Sequence, residues 1–125
     1  MFHSAQQAYN QGKKATGSGR QIEAEVLFKA ARMLEECQKD WNAPDRRSRL
    51  SDALRLNQRI WTIFQGELAS PEHGLPVEVR QNLLQLSLFI DRRTFELMAD
   101  PAPEKLTALI DINRQIASGL STNPS

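Results

Sequence analysis

The apolar residues of this chain recur every three or four positions and almost never alternate. On a helix of 3.6 residues per turn that spacing gathers them on one face, so the chain reads as all-α. Two stretches carry the pattern with an asparagine set into the stripe. The first is Leu50, Ala53, Leu54, Asn57, Ile60, Trp61 and Phe64, and the second is Leu106, Leu109, Ile110, Asn113, Ile116, Ala117 and Leu120. Asn57 and Asn113 match at an offset of 56 residues, as do Leu56 with Ile112 and Ile60 with Ile116. A buried amide left without a partner costs roughly 1 to 3 kcal/mol, so each asparagine must be bonded, hydrated or waiting for something. Three readings follow: two amphipathic helices merely look alike, the asparagines fix register as a single polar residue does in a coiled coil, or they face a groove that accepts a partner's helix.

The punctuation of the chain predicts about five helical segments. Phe2 to Lys14 is the weakest, with only Phe2, Ala5, Ala8 and Tyr9 to line a face and Gly17-Ser18-Gly19 behind it. It is expected to fray or to dock only on a partner, which makes 1–17 a mobile N-terminal segment. A second helix starts at Ser18, with Gln21 placed for a capping box, and ends at Asn42-Ala43-Pro44-Asp45. Its stripe is broad: Ile22, Val26, Ala30, Met33 and Cys37 form one row, and Leu27, Ala31, Leu34 and Trp41 a neighbouring one. The third runs from an Asp45 N-cap to about Leu68, and a loop from Ser70 to Leu75 leads to Pro76, expected as the first residue of the fourth. The fourth carries Val79, Leu83, Leu86, Ile90 and Leu97 on one row and Leu84, Leu88 and Phe95 on another, the sign of a central helix. Asp100-Pro101-Ala102-Pro103 separates it from the fifth, about Glu104 to Gly119, with 121–125 as a loose tail.

At 125 residues this is a single-domain length, 1–125, enough to support one real core as a helical bundle. Sixteen Lys and Arg against fifteen Asp and Glu leave no general basic excess, which disfavours sequence-independent binding to a polyanion. The one cysteine, Cys37, excludes an internal disulfide and, with only two histidines, a usual structural zinc site. The longest apolar run, Leu83 to Ile90, is broken by Gln85 and Ser87, so no membrane span is expected. The N-terminus lacks the charged and apolar regions of a secretory signal, which points to the cytoplasm. His3 and His73 stand apart, no phosphate loop or metal spacing occurs, and Glu23, Glu25, Glu35 and Glu36 read as a solvated face. No catalytic residue, cofactor or metal is expected, and the chain is not read as an enzyme.

The candidate partner-binding residues are Leu54, Asn57, Trp61 and Asn113, with the arginines Arg46, Arg47 and Arg49. Core packing is the default for a tryptophan in such a stripe, and Trp41, at a helix end, is expected to be partly exposed. Arg46, Arg47 and Arg49 crowd the first turn of a helix, where the dipole disfavours positive charge. A solvated loop is the plain reading. The functional one is docking of an acidic segment or a nucleic-acid phosphate. Asp91-Arg92-Arg93 interrupts the most apolar helix as an ion-pair network or a contact patch.

The string from Leu50 to Trp61, followed by Gly74-Leu75-Pro76 and by Leu109-Ile110-Asp111-Ile112-Asn113-Arg114 to Gly119-Leu120, closely resembles the flagellin biosynthesis regulator family FlaF. Ala8-Tyr9 and the helix from Glu23 to Leu34 extend the likeness over nearly the whole chain. One departure is His73, where the family often has asparagine two residues before the Leu-Pro. The resemblance implies a small cytoplasmic α-helical protein of flagellated bacteria, needed for flagellin production and export and acting opposite a partner regulator, FlbT. It implies flagellin as the partner, with roles as export chaperone and positive post-transcriptional regulator. The alternative is direct binding of the flagellin message, an RNA, through Arg46, Arg47 and Arg49.

Overall fold

A computed structural model describes residues 18–70 and 76–122. Among them are four α-helices, α1 (Ser18–Lys39), α2 (Arg46–Leu68), α3 (Val77–Ala99) and α4 (Leu106–Thr122), with a 3-10 turn at Pro103–Lys105 and no strand. The fold is all-α. The expected count of about five is thus four among the described residues, since Phe2 to Lys14 lies outside them.

Three boundaries differ in detail. Pro76 has φ −55 and ψ 147 and stands just before α3 instead of opening it, because its extended ψ cannot continue a helix. Pro103 opens the 3-10 turn, whose N-cap Ala102 is extended, and α4 proper starts only at Leu106. Gly119 does not end α4, which continues to Thr122; an exposed helical glycine costs about 1 kcal/mol relative to alanine and does not by itself stop a helix. Asp45 does stand at the N-cap of α2 but makes no side-chain cap bond. Its carboxylate lies 3.7 Å from the Arg49 guanidinium instead.

The core is built on α1 and α4, the helices in most extensive contact. Ala24, Leu27, Ala30, Ala31, Leu34 and Cys37 from α1 meet Leu106, Leu109, Ile110 and Ala117 from α4 in one cluster. The alanines let the backbones approach while the leucines fill the space, each fully buried aliphatic contributing about 1.5 to 3 kcal/mol. Gln38 bonds the Pro103 carbonyl and the Thr107 hydroxyl, both at 2.9 Å, and Glu35 pairs with Arg114 at 2.9 Å. The late turns of α1 therefore meet the early turns of α4, and the pair is antiparallel. A tight turn sends α2 back along α1, and its Leu50, Ala53, Leu54, Ile60 and Trp61 complete the cluster.

α3 is not central, contrary to its nearly all-round apolar pattern. It packs chiefly on α2 and only lightly on α4, burying Ser87, Ile90, Thr94 and Leu97. The Ser87 and Thr94 hydroxyls bond back to the carbonyls of Leu84 and Ile90, so these polar groups enter the interface already satisfied. Gln65 of α2 donates to Asp91, and Arg93 donates to the Lys105 carbonyl while lying over Phe89. Asp91 and Arg93 thus tie α3 to its neighbours, leaving Arg92 exposed.

Candidate functional site

The two asparagine stripes become α2 and α4, and the 56-residue offset is a spatial register. Asn113 Nδ2 donates to Asn57 Oδ1 at 2.6 Å, and Trp61 Nε1 donates to Asn113 Oδ1 at 2.9 Å. All three side chains have 0 % exposure. A turn or two further on, Phe64 and Leu68 share a small apolar cavity with Ile116 and Leu120, so the two copies run side by side in the same direction. Trp61 also meets Phe64 edge-on, with ring centroids 5.5 Å apart. A slip of one residue would take Asn113 away from both of its partners, leaving up to four buried polar atoms unpaired at roughly 1 to 3 kcal/mol each. The asparagines fix register. One amide hydrogen-bond donor, Asn57 Nδ2, is buried with no partner among the described residues.

Asn57, Trp61 and Asn113 therefore sit inside the bundle, bonded to one another, and offer no surface to a partner. Leu54 is also buried, at 2 % exposure, but it floors a groove. That groove, about 470 Å³, lies where the first turns of α2 meet the last turns of α3. Leu50, Leu54 and Leu97 line it together with Met98, and Arg46, Arg47 and Arg55 stand at its edge. Arg46 stacks on Trp41 with its guanidinium carbon 4.3 Å from the ring centroid, which holds it in place and leaves Trp41 half-buried as expected. Arg49 is elsewhere: it faces Asp40 at 3.4 Å and Asp45 at 3.7 Å, clamping the turn between α1 and α2. Burial works against its charge, but these two carboxylates hold its pKa above the ordinary value. The three sequence-neighbour arginines thus split, two to the groove and one to the fold.

Arg55 was not among the residues singled out by sequence, because the stripe of α2 draws attention to the apolar positions between its arginines. It stands four residues beyond Ser51 on the rim of the same groove. Neither Arg47 nor Arg55 has a carboxylate partner among the described residues.

The larger surface missed by sequence is the far side of α3. Val77, Leu88, Phe95 and Met98 are 60, 59, 62 and 49 % exposed, and Leu84 lies half-buried among them. Their positions, 77, 84, 88, 95 and 98, fall on a seven-residue repeat with Gln81 in one remaining place and Asp91, which accepts from Gln65 of α2 at the edge of the face, in the other. That spacing is the a/d pattern found where two helices pack along each other. It was legible as the second row of the fourth segment, but periodicity alone cannot say which row the bundle covers. Met98 belongs both to this seam and to the groove, so the two form one continuous surface.

Among the described residues no three His, Cys, Asp or Glu side chains converge as metal ligands, and no helix is long and apolar enough to cross a membrane. Cys37 is buried, and burial pushes its thiol pKa up, away from the reactive thiolate.

These features define a small all-α bundle with a polar lock inside and an apolar helix seam outside. The chain belongs to the flagellar protein FlaF family, whose model matches residues 5–120. No curated protein and no solved structure matches it significantly.

Proposed function

We propose that this protein binds flagellin in the cytoplasm, covering an amphipathic helix of the unassembled chain with the α3 seam, and so acts as an export chaperone and positive post-transcriptional regulator of flagellin production. The observation that carries this reading is the exposed heptad face of Val77, Leu84, Leu88, Phe95 and Met98. Four large apolar residues more than two-fifths exposed on one helix face form a patch of the kind that marks an interaction site. Membership in a flagellar family supplies the direction in which to look for its occupant. The chemistry fits, since an amphipathic helix laid in an apolar groove is read through anchors at three- and four-residue spacing.

The test is a titration of purified flagellin with the wild-type chain and with Leu88→Glu/Phe95→Glu. Micromolar binding that changes little with salt and is lost in the variant supports the proposal; equal binding by both proteins contradicts it. The RNA reading keeps one specific support, the guanidinium groups of Arg47 and Arg55, which have no carboxylate partner among the described residues. It requires affinity for the flagellin message that falls steeply with salt and on replacing both arginines by alanine. FlbT, the partner regulator implied by the family resemblance, belongs in the same titration as a second ligand.

A further inference from the structure

The seam and the arginine-edged groove are one surface, and their order along α3 has a direction. The seam opens at Val77 with Glu78 beside it, and it ends at Met98 in the groove edged by Arg46, Arg47 and Arg55. The apolar part sets where a helix can lie. The charged end sets which way it runs.

We infer that the surface takes an amphipathic helix antiparallel to α3, with acidic residues in its first turn meeting Arg47 and Arg55; this rests on the helix-binding reading proposed above. Three physical arguments converge. Arg47 and Arg55 project beside an apolar floor of Leu50, Leu54 and Leu97, and the chain supplies no carboxylate to them among the described residues, so the complement is a negatively charged apolar segment. An antiparallel helix brings its N-terminus to the Met98 end of α3, and the macrodipoles of neighbouring helices attract in that arrangement. Acidic side chains are favoured in the first turn of a helix for the same electrostatic reason, so the occupant is stabilised as a free helix by the residues the groove recognises. A second copy of this chain fits less well. Its own α3 begins Val77-Glu78-Val79-Arg80, which offers the groove one acid and one base, and two copies would each bring the same basic edge.

The probes are two synthetic helical peptides of identical composition, about three heptads long with a leucine seam. One carries its glutamates in the first turn, the other in the last. The first is expected to bind about tenfold more tightly at low salt, with the preference shrinking as salt rises. Arg47→Ala/Arg55→Ala, both exposed positions, should abolish the preference while the weaker peptide binds as before. Equal binding of the two peptides overturns the assigned direction and leaves the apolar seam standing. Failure of both, or a chain that sediments alone as a dimer with Phe95 protected from labelling, overturns the direction and the helix-binding reading together.

Discussion

The α2–α4 contact and the outer face of α3 reverse each other's chemistry. Between α2 and α4, polar side chains are wholly buried; on α3, large apolar side chains face water. Each placement is unfavourable in isolation, and each is resolved differently. The asparagines and Trp61 pair four of their five polar side-chain atoms among themselves, so the inner region leaves only Asn57 Nδ2 without a partner among the described residues. Leu88 and Phe95 are covered by nothing among the described residues, and under the proposed function a partner helix completes the outer region. A polar residue in a stripe marks fixed register here, and an extra apolar row marks a face that the bundle itself leaves open.

Asn113→Leu should break the inner region most. It leaves the Trp61 indole N–H and the Asn57 carbonyl without partners, an expected loss of about 2 to 4 kcal/mol in denaturant unfolding. Asn57→Leu should cost only about 1 kcal/mol, because it orphans the Asn113 amide but removes an N–H that is already unpaired. Equal losses would mean that Asn113 is not the hub. On the outer region, Leu88→Glu/Phe95→Glu should change stability by less than about 0.5 kcal/mol, as exposed substitutions do, while abolishing flagellin binding. A large stability loss would place α3's seam in the core and erase the contrast.

Smaller effects test the frame between the two regions. The hydrogen bond from Arg114 holds the Glu35 carboxyl below the usual carboxylate range, against an opposing effect of burial. Because its folded pKa is depressed, its contribution is present above the ordinary carboxylate pKa and lost as pH falls through the lowered value. Wild type and Glu35→Gln should therefore differ slightly in Tm at neutral pH and converge in acid. Burial raises the Cys37 thiol, so at neutral pH it should react with an aromatic disulfide reagent only as fast as the bundle opens, and at the rate of a free thiol in denaturant.

Much of this architecture was legible from residue spacing. The start of α2 after Asp45, its end at Leu68 and the broad stripe of α1 all follow from periodicity and turn residues, which are local signals. The paired asparagines were legible as a repeat, and the shared offset turned out to be their register in space. What spacing could not supply was tertiary. Arg47 and Arg49 are two residues apart, about 200° around a helix, so one edges an apolar groove while the other turns to Asp40 and Asp45. The same limit hid the placement of α3. An all-round apolar helix is compatible with a central position and a peripheral one, and only the packing distinguishes them.

Hydrogen exchange of the chain with and without flagellin separates the inner region from the outer one. Flagellin is expected to slow exchange chiefly in Val77–Ala99 and in the first turns of α2 beside the groove, with little change along α4, whose polar side chains are already bonded inside the bundle. Slowing confined to α1 and α4, with α3 exchanging as in the free protein, would contradict that expectation.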